Sequence, residues 1–162
     1  MKELVILRHA KSNSEYLVDD IDRPLSPAGI ERIKKISKKM LIFFKNTDVI
    51  LSSPANRALH TAQLMMRHLN YNYDKLIVDR KLYTFYADDL IDYVHGLDNQ
   101  WSKVILVGHN PAFTELVNHF SRKKIIHLRT AGLAKITFES NDWESLLQGE
   151  MVLGQKTIIN DY

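Results

Sequence analysis

The hydrophobic positions along the chain form two kinds of pattern, short continuous apolar runs and longer runs with helical spacing. Residues 3–7, 48–51 and 103–107 are short apolar runs rich in valine, isoleucine and leucine, which predicts buried strands. The run at residues 103–107 is the clearest of them. Less regular runs predict three more strands, at residues 76–78, at residues 133–138 and, after a turn at residues 140–142, within residues 146–152.

Helical spacing begins after residue 26. Ser26 followed by Pro27 is typical of a helix cap and a first helical residue. The apolar residues that follow recur at three- and four-residue intervals, which predicts one amphipathic helix of four turns packed on a sheet. These residues are Ile33, Ile36, Met40, Phe43 and Phe44.

Three more helices are predicted between the strands. Pro54 favours a helix that carries Arg57 and Thr61 four residues apart on one face, and residues 88–97 and 113–120 repeat apolar positions with helical spacing. Strands and helices therefore alternate along most of the chain. This order predicts an α/β fold, a three-layer α/β/α sandwich with a mostly parallel sheet.

Composition narrows the class of protein. A chain of 162 residues with 45% hydrophobic residues predicts a single domain spanning residues 1–162. The net charge of +3 is too small to predict nucleic-acid binding. The absence of cysteine excludes disulfides, thiolate zinc sites and a cysteine nucleophile. The first apolar run is too short for a signal peptide or a membrane span, so we expect a cytoplasmic protein with no membrane partner.

Polar side chains of similar chemistry follow three of the predicted strands. Arg8 and His9 come directly after the first strand, Arg57 lies near the start of the helix after the second, and His109 follows residues 103–107. Ligands of open parallel sheets bind at the carboxyl ends of the strands, so these side chains are expected to converge. Guanidinium groups present a planar, charged fork to phosphate oxygens, which favours a phosphoryl group as the ligand.

An imidazole is the expected nucleophile, because cysteine is absent and no aspartate in a D-x-D context ends the first strand. His9 fits this role by its position. One histidine or arginine after a strand is usually an ordinary loop residue, but three such motifs together favour a site. The other histidines lack the spacing of a metal site, and two arginines would repel a divalent cation, so we expect no metal.

Four motifs occur in order along the chain. They are LRHAKS at residues 7–12, DRPLS at residues 22–26 with Gly29, SSPA at residues 52–55 with Arg57, Ala58, Thr61 and Ala62, and VGHNP at residues 107–111. With these motifs the chain resembles the phosphoglycerate mutase-like histidine phosphatase superfamily and, within it, the short SixA-type phosphohistidine phosphatases. Ala10, where many members have glycine, favours the SixA-type branch.

The resemblance implies a mechanism and a set of site residues. His9 would become transiently phosphorylated, while Arg8, Arg57 and His109 would hold the phosphoryl oxygens, and Ser12 would make an auxiliary contact. No cofactor is implied. The implied substrate is phosphohistidine on a protein, such as a histidine-phosphotransfer domain, or a small phosphorylated molecule.

The chain departs from its wider superfamily in the proton donor. Mutase-like relatives have a glutamate roughly where this chain has Leu82-Tyr83, and acid phosphatases have an aspartate where it has Asn110. An imidazole leaving group tolerates a missing acid better than an alkoxide does, which favours phosphohistidine as substrate. Three residues remain weak candidates for a donor: Asp79, Tyr83 and Asp88.

Several alternatives stay open. The same site would serve a small-molecule phosphomonoesterase or a noncatalytic phosphate-binding module. Residues 71–103 leave little room for a capping insertion, so we expect a shallow, open pocket. Arg23 belongs to a family motif, but fixing the loop before the helix at Ser26 is at least as good an interpretation. The basic run at residues 122–124 is a candidate rim of the pocket, although such a run is usually a solvated face.

Overall fold

The computed structural model describes residues 1–155; residues 156–162, which the predicted domain includes, lie outside the described residues. One sheet of six strands runs through them. Its strands in chain order are β1 (Lys2–Arg8), β2 (Val49–Ser52), β3 (Leu76–Val78), β4 (Lys103–Gly108), β5 (Leu133–Phe138) and β6 (Glu150–Gly154). All six predicted strands are present. The last of them, β6, begins inside the predicted region 146–152 and ends two residues beyond it.

The order of strands in the sheet is β3-β2-β4-β1-β5-β6. The first four of these run parallel, whereas β5 pairs antiparallel with β1, and β6 antiparallel with β5. The predicted mostly parallel sheet is therefore confirmed. Its arrangement brings the carboxyl ends of β1, β2 and β4 to one edge, with β4 in the middle.

Helices cover both faces of this sheet. They are α1 (Pro27–Lys39), α2 (Leu41–Phe44), α3 (Asn56–Leu69), α4 (Ala87–His95) and α5 (Ala112–Phe120). Successive residues of β1 point to opposite faces, so Val5 and Leu7 pack with α1 and α3, while Leu4 and Ile6 pack with α4 and α5. The two separate cores confirm the three-layer sandwich.

The one long helix predicted after Ser26 is wrong. The helix ends at Lys39, and Met40, with φ −105° and ψ 28°, leaves helical geometry before the short helix α2 begins. Phe43 and Phe44 are both buried in α2. The apolar residues 33–44 therefore belong to two successive helices and not to one.

Smaller differences concern the ends of helices. The helix predicted to open at Pro54 is α3, which begins at Asn56. The helix predicted at residues 88–97 is α4, which begins at Ala87 and ends at His95, before Gly96. Within residues 1–155, we find no helix long and apolar enough to cross a membrane.

Candidate active site

Three strand ends are joined side by side at the edge where the predicted site residues lie. Arg8 pairs with Gly108 at the ends of β1 and β4, the backbone N–H of His9 donates to Gly108 O at 3.1 Å, and that of Ser53 donates to Val107 O at 3.0 Å. These bonds hold the residues after each strand close together. The structure thus brings Arg8, His9, Arg57 and His109 into one pocket.

The His9 ring is buried, with 6% of the residue exposed. Its Nδ1 lies 2.7 Å from the carbonyl oxygen of Ala10. A carbonyl only accepts hydrogen bonds, so Nδ1 carries the proton and Nε2 keeps a free lone pair. The local backbone therefore sets the tautomer in which Nε2 is a nucleophile.

The pocket also sets the charge of His9. The pKa of His9 is lowered to about 4, mainly by burial. The hydrogen bond to Ala10 raises this pKa, whereas the positive charges of Arg57, Arg8 and Arg23 lower it. His9 is consequently neutral at pH 7. A neutral imidazole is the form that attacks phosphorus.

His109 makes a different hydrogen bond. Its Nε2 lies 2.8 Å from Ser53 Oγ, and that oxygen accepts a hydrogen bond from the backbone N–H of Ala55 at 3.2 Å. We infer that the Ser53 hydroxyl donates to Nε2, which leaves the proton on Nδ1. Burial lowers the pKa of His109 to about 3, with further lowering by the neighbouring His9 and Arg57. His109 is therefore a neutral N–H donor.

Arg57 is 1% exposed and is held by a residue that the sequence did not single out. Its two terminal nitrogens donate to Asp20, Nη1 to the backbone oxygen at 2.6 Å and Nη2 to Oδ2 at 3.0 Å. Thr61 Oγ1 donates to Arg57 O at 2.7 Å and accepts from Ala10 N at 3.0 Å. The predicted common face of Arg57 and Thr61 therefore ties α3 to the loop after β1.

Arg8 reaches the other side of the pocket. Its Nη1 donates to Leu128 O at 3.0 Å and lies 3.2 Å from His127 Nε2. Burial and the charge of Arg57 both lower the pKa of Arg8. Two partly desolvated guanidinium groups repel each other unless an anion lies between them.

Four buried N–H donors in this region have no hydrogen-bond partner among the described residues. They are Arg8 Nε, Arg23 Nε, Arg57 Nε and His109 Nδ1. A buried donor left unpaired costs about 1–3 kcal/mol, so such groups are rare unless a ligand uses them. A phosphoryl group has several acceptor oxygens and a matching charge, and it would satisfy these donors together.

The three candidate proton donors occupy different environments, and two of them lie away from the pocket. Asp79 accepts from Tyr93 Oη at 2.9 Å and caps the turn at Lys81 N at 3.0 Å, which is a structural role. Asp88 is exposed in the first turn of α4. Within residues 1–155, neither carboxylate forms a hydrogen bond or ion pair with the four converging residues.

Tyr83 does lie at the pocket. Its ring centroid is 5.5 Å from that of His109, and its hydroxyl donates to Asp20 Oδ2 at 2.6 Å. Phe85 packs beside both rings, 5.7 Å from His109 and 5.9 Å from Tyr83. These aromatic rings form one wall of the pocket.

Ser12 and Asn110 have backbone roles in the structure. Ser12 forms an isolated antiparallel bridge with Leu25, three residues beyond His9. Asn110 Oδ1 accepts from the backbone N–H of Thr114 at 3.0 Å, and its Nδ2 donates to Leu128 O at 2.8 Å. Asn110 thus braces the start of α5 and the segment that contacts Arg8.

The basic run at residues 122–124 does not rim the pocket. Arg122 pairs with Glu150 at 2.5 Å, and Glu150 lies opposite Thr137, at the end of the sheet where β1 begins. The pocket is at the other end of β1. This run is therefore a solvated face at the opposite edge.

Among residues 1–155, no three histidine or acidic side chains lie close enough together to hold a metal ion. The expectation of a metal-free reaction stays a prediction.

Comparisons with known proteins agree with this geometry. A model of the histidine phosphatase superfamily, branch 1, matches residues 4–83, which include Arg8, His9 and Arg57. A search of curated proteins found no match.

Solved structures extend the similarity over most of the chain. A candidate phosphohistidine phosphatase SixA from Agrobacterium tumefaciens is 25% identical, with a TM-score of 0.73 over 83% of this chain and 91% of that one. The protein histidine phosphatase SixA complexed with tungstate is 21% identical, with a TM-score of 0.76 over 94% of each chain. A mycobacterial glucosyl-3-phosphoglycerate phosphatase is 15% identical, with a TM-score of 0.68 over 95% of this chain and 97% of that one. The match to the family model, the SixA-like fold and the pocket of two histidines and two arginines together support a SixA-like phosphatase of the histidine phosphatase superfamily.

Proposed function

We propose that this phosphatase hydrolyses phosphohistidine on a protein through a covalent phospho-His9 intermediate. The observation that carries the proposal is the neutral Nε2 of His9, held beside buried N–H donors that have no partner among residues 1–155. A nucleophile and a preorganised oxyanion site are the two parts that phosphoryl transfer needs. A cytoplasmic site of action, expected from the sequence, belongs to this proposal.

The reaction has two steps. His9 Nε2 attacks phosphorus, the P–N bond of the substrate breaks, and the substrate imidazole leaves and takes a proton from water. In the second step the hydroxide left by that proton transfer takes a proton from a second water, which attacks phospho-His9. The P–Nε2 bond then breaks, which releases inorganic phosphate and restores the His9 lone pair. Arg8, Arg57 and His109 stabilise the charge on the equatorial oxygens in both steps, without reorganising as the reaction proceeds.

The electrostatics of the pocket favour a phosphohistidine leaving group. Burial raises the pKa of Asp20, but the hydrogen bonds from Tyr83 and Arg57 outweigh this and lower it on balance. The hydrogen bond to Asp20 raises the pKa of Tyr83. At neutral pH, Asp20 is therefore a carboxylate and Tyr83 a poor acid, so neither supplies the proton that an alkoxide needs.

Exposed apolar side chains around the pocket support a protein substrate. Tyr16, Leu17 and Val18 lie in the loop after β1, and Ile126 precedes the His127–Leu128 segment that contacts Arg8. Leu17 and Ile126 are fully exposed. Apolar side chains around a charged pocket are typical of a surface that meets another macromolecule, and a histidine-phosphotransfer domain is our proposed partner.

The test compares substrates and a pair of matched variants. We expect kcat/KM to be at least tenfold higher for a phosphohistidine-bearing phosphotransfer domain than for sugar and nucleotide monophosphates. The double variant Leu17→Ser, Ile126→Ser should raise KM for that domain at least about tenfold, the lower end of the range for losing buried apolar contacts, and leave phosphoramidate turnover unchanged. Leu147→Ser is the control, because Leu147 is an exposed leucine near Gly149 and Glu150, at the other end of the sheet.

Three outcomes contradict the proposal in different ways. Faster turnover of monophosphates favours a small-molecule phosphomonoesterase. Anion binding without turnover of any substrate favours a noncatalytic binding module. Turnover of phosphohistidine with no phospho-His9 after rapid quenching excludes the covalent mechanism.

A further inference from the structure

Arg23 lies beside the phosphoryl pocket, directly after the single helical turn Asp20–Asp22. Its Nη2 is 3.5 Å from Asp20 Oδ1, and its side chain is 30% exposed. Its Nε, however, is withdrawn from solvent and has no hydrogen-bond partner in the described part of the chain. An arginine that only braced its own loop would normally pair this donor with the backbone or leave it in water.

The Asp20 carboxylate connects Arg23 with the established members of the pocket. Oδ1 faces Arg23, while Oδ2 accepts from Arg57 Nη2 at 3.0 Å and from the Tyr83 hydroxyl at 2.6 Å. One carboxylate therefore holds two guanidinium groups side by side. The unpaired Nε of each is left for another acceptor.

The charge of Arg23 also acts on the reacting groups. It contributes to lowering the pKa of His9 and of His109, after burial and the nearer charges. The geometric link between Arg23 and these rings is the Asp20 carboxylate, which contacts both Arg23 and Arg57.

From these contacts we propose that Arg23 is a third guanidinium that binds the transferred phosphoryl group, and that Asp20 is the residue that positions it beside Arg57. The proposal rests on the function proposed above. Three guanidinium groups and one carboxylate leave two positive charges, which match a dianionic phosphoryl group. Arg8 and Arg57 alone, beside Asp20, would leave one.

The test measures anion binding and His9 phosphorylation separately in the full chain. Tungstate binding by calorimetry reports the oxyanion site, and rapid quenching with phosphoramidate reports phospho-His9. We expect Arg23→Ala to weaken tungstate binding at least tenfold and to slow phosphorylation by a similar factor, with Arg23→Lys in between. Arg122→Ala is the matched control, since it removes the same charge at the opposite end of the sheet and should change neither value.

The variant Asp20→Asn distinguishes the positioning of Arg23 and Arg57 by Asp20 from the effect of the negative charge of Asp20. Removing a negative charge beside an anion site should, by charge alone, tighten tungstate binding and speed phosphorylation. If Asp20 positions Arg23 and Arg57, phosphorylation of His9 slows at least tenfold even where tungstate binds equally well or more tightly.

The outcomes distinguish this inference from the proposed function. Tungstate binding by Arg23→Ala and Arg23→Lys within twofold of the unsubstituted protein would overturn the role of Arg23, and faster phosphorylation in Asp20→Asn would overturn that of Asp20. If the unsubstituted protein neither binds tungstate nor forms phospho-His9, the proposed function itself fails.

Discussion

The rings of His9 and His109 lie 5.3 Å apart and are inclined by 53°, and their bonded nitrogens meet different partners. His9 Nδ1 faces the Ala10 carbonyl oxygen, whereas His109 Nε2 faces the Ser53 hydroxyl. The first partner requires a proton on the bonded nitrogen, and we infer that the second donates one. Two identical side chains therefore present a lone pair and an N–H donor to the same pocket.

The rate of His9 phosphorylation should be insensitive to pH between about 5 and 8, because the pKa of His9 lies near 4. Below that range the rate should fall as the Nε2 lone pair becomes protonated. Rapid-quench labelling with phosphoramidate, corrected for the ionisation of the donor, measures it. His9→Ala should abolish the label and His68→Ala, in an exposed position on α3, should retain it. A rate that halves near pH 6.5 would contradict the buried, neutral state of His9.

Stability should fall as the pH drops from about 6.5 toward 4. Over this range the histidines of the unfolded chain bind protons, while His9 and His109 stay neutral because burial lowers their pKa to about 4 and about 3. The unfolded state then holds more protons, so the free energy of unfolding decreases by up to about 1.4 kcal/mol per pH unit for each histidine. Urea denaturation at several pH values measures this slope. His109→Gln should reduce it, and an unchanged slope would contradict the prediction.

Ser53→Ala should slow phosphorylation of His9 without unfolding the protein. Without the hydroxyl, His109 Nδ1 is no longer held as the protonated nitrogen, and the oxyanion site loses a defined donor. We expect a loss approaching the roughly 100-fold that removal of an oxyanion donor costs. Ser52→Ala is the matched control, since Ser52 Oγ donates to Ser53 O and not to the histidine. Ser53→Thr, which keeps the hydroxyl, should recover part of the rate; equal rates for both alanine variants would exclude this role.

Gly29→Ala should destabilise the protein and displace the loop after His9. A Cβ at Gly29 would lie 2.2 Å from the Lys11 carbonyl oxygen, so α1 and the backbone of this loop must separate. Overpacking of this kind typically costs about 1–3 kcal/mol, which urea denaturation detects. Gly96→Ala is the control, because its Cβ would lie 3.5 Å from the nearest atom, an ordinary contact. Equal stability of the two variants would contradict this packing.

The sequence by itself determined the strands, the three-layer fold and the common location of Arg8, His9, Arg57 and His109. Apolar periodicity reports which residues are buried, and parallel strands must present their carboxyl ends at one edge. Both are local or topological properties, so they are readable without coordinates. The break at Met40 could not be predicted from the sequence, because burial of both Phe43 and Phe44 depends on what they pack against.

Only the tertiary structure decided which loop residues join the site. Asp20 contacts Arg57 across 37 positions of sequence, and the Tyr83 hydroxyl reaches Asp20 across 63. The acidic residues before Arg23 were visible in the sequence, but an irregular loop has no periodicity that says where its side chains point. The tautomers of His9 and His109 were decided in the same way, because a hydrogen-bond partner in space, and not the residue type, sets which ring nitrogen holds the proton.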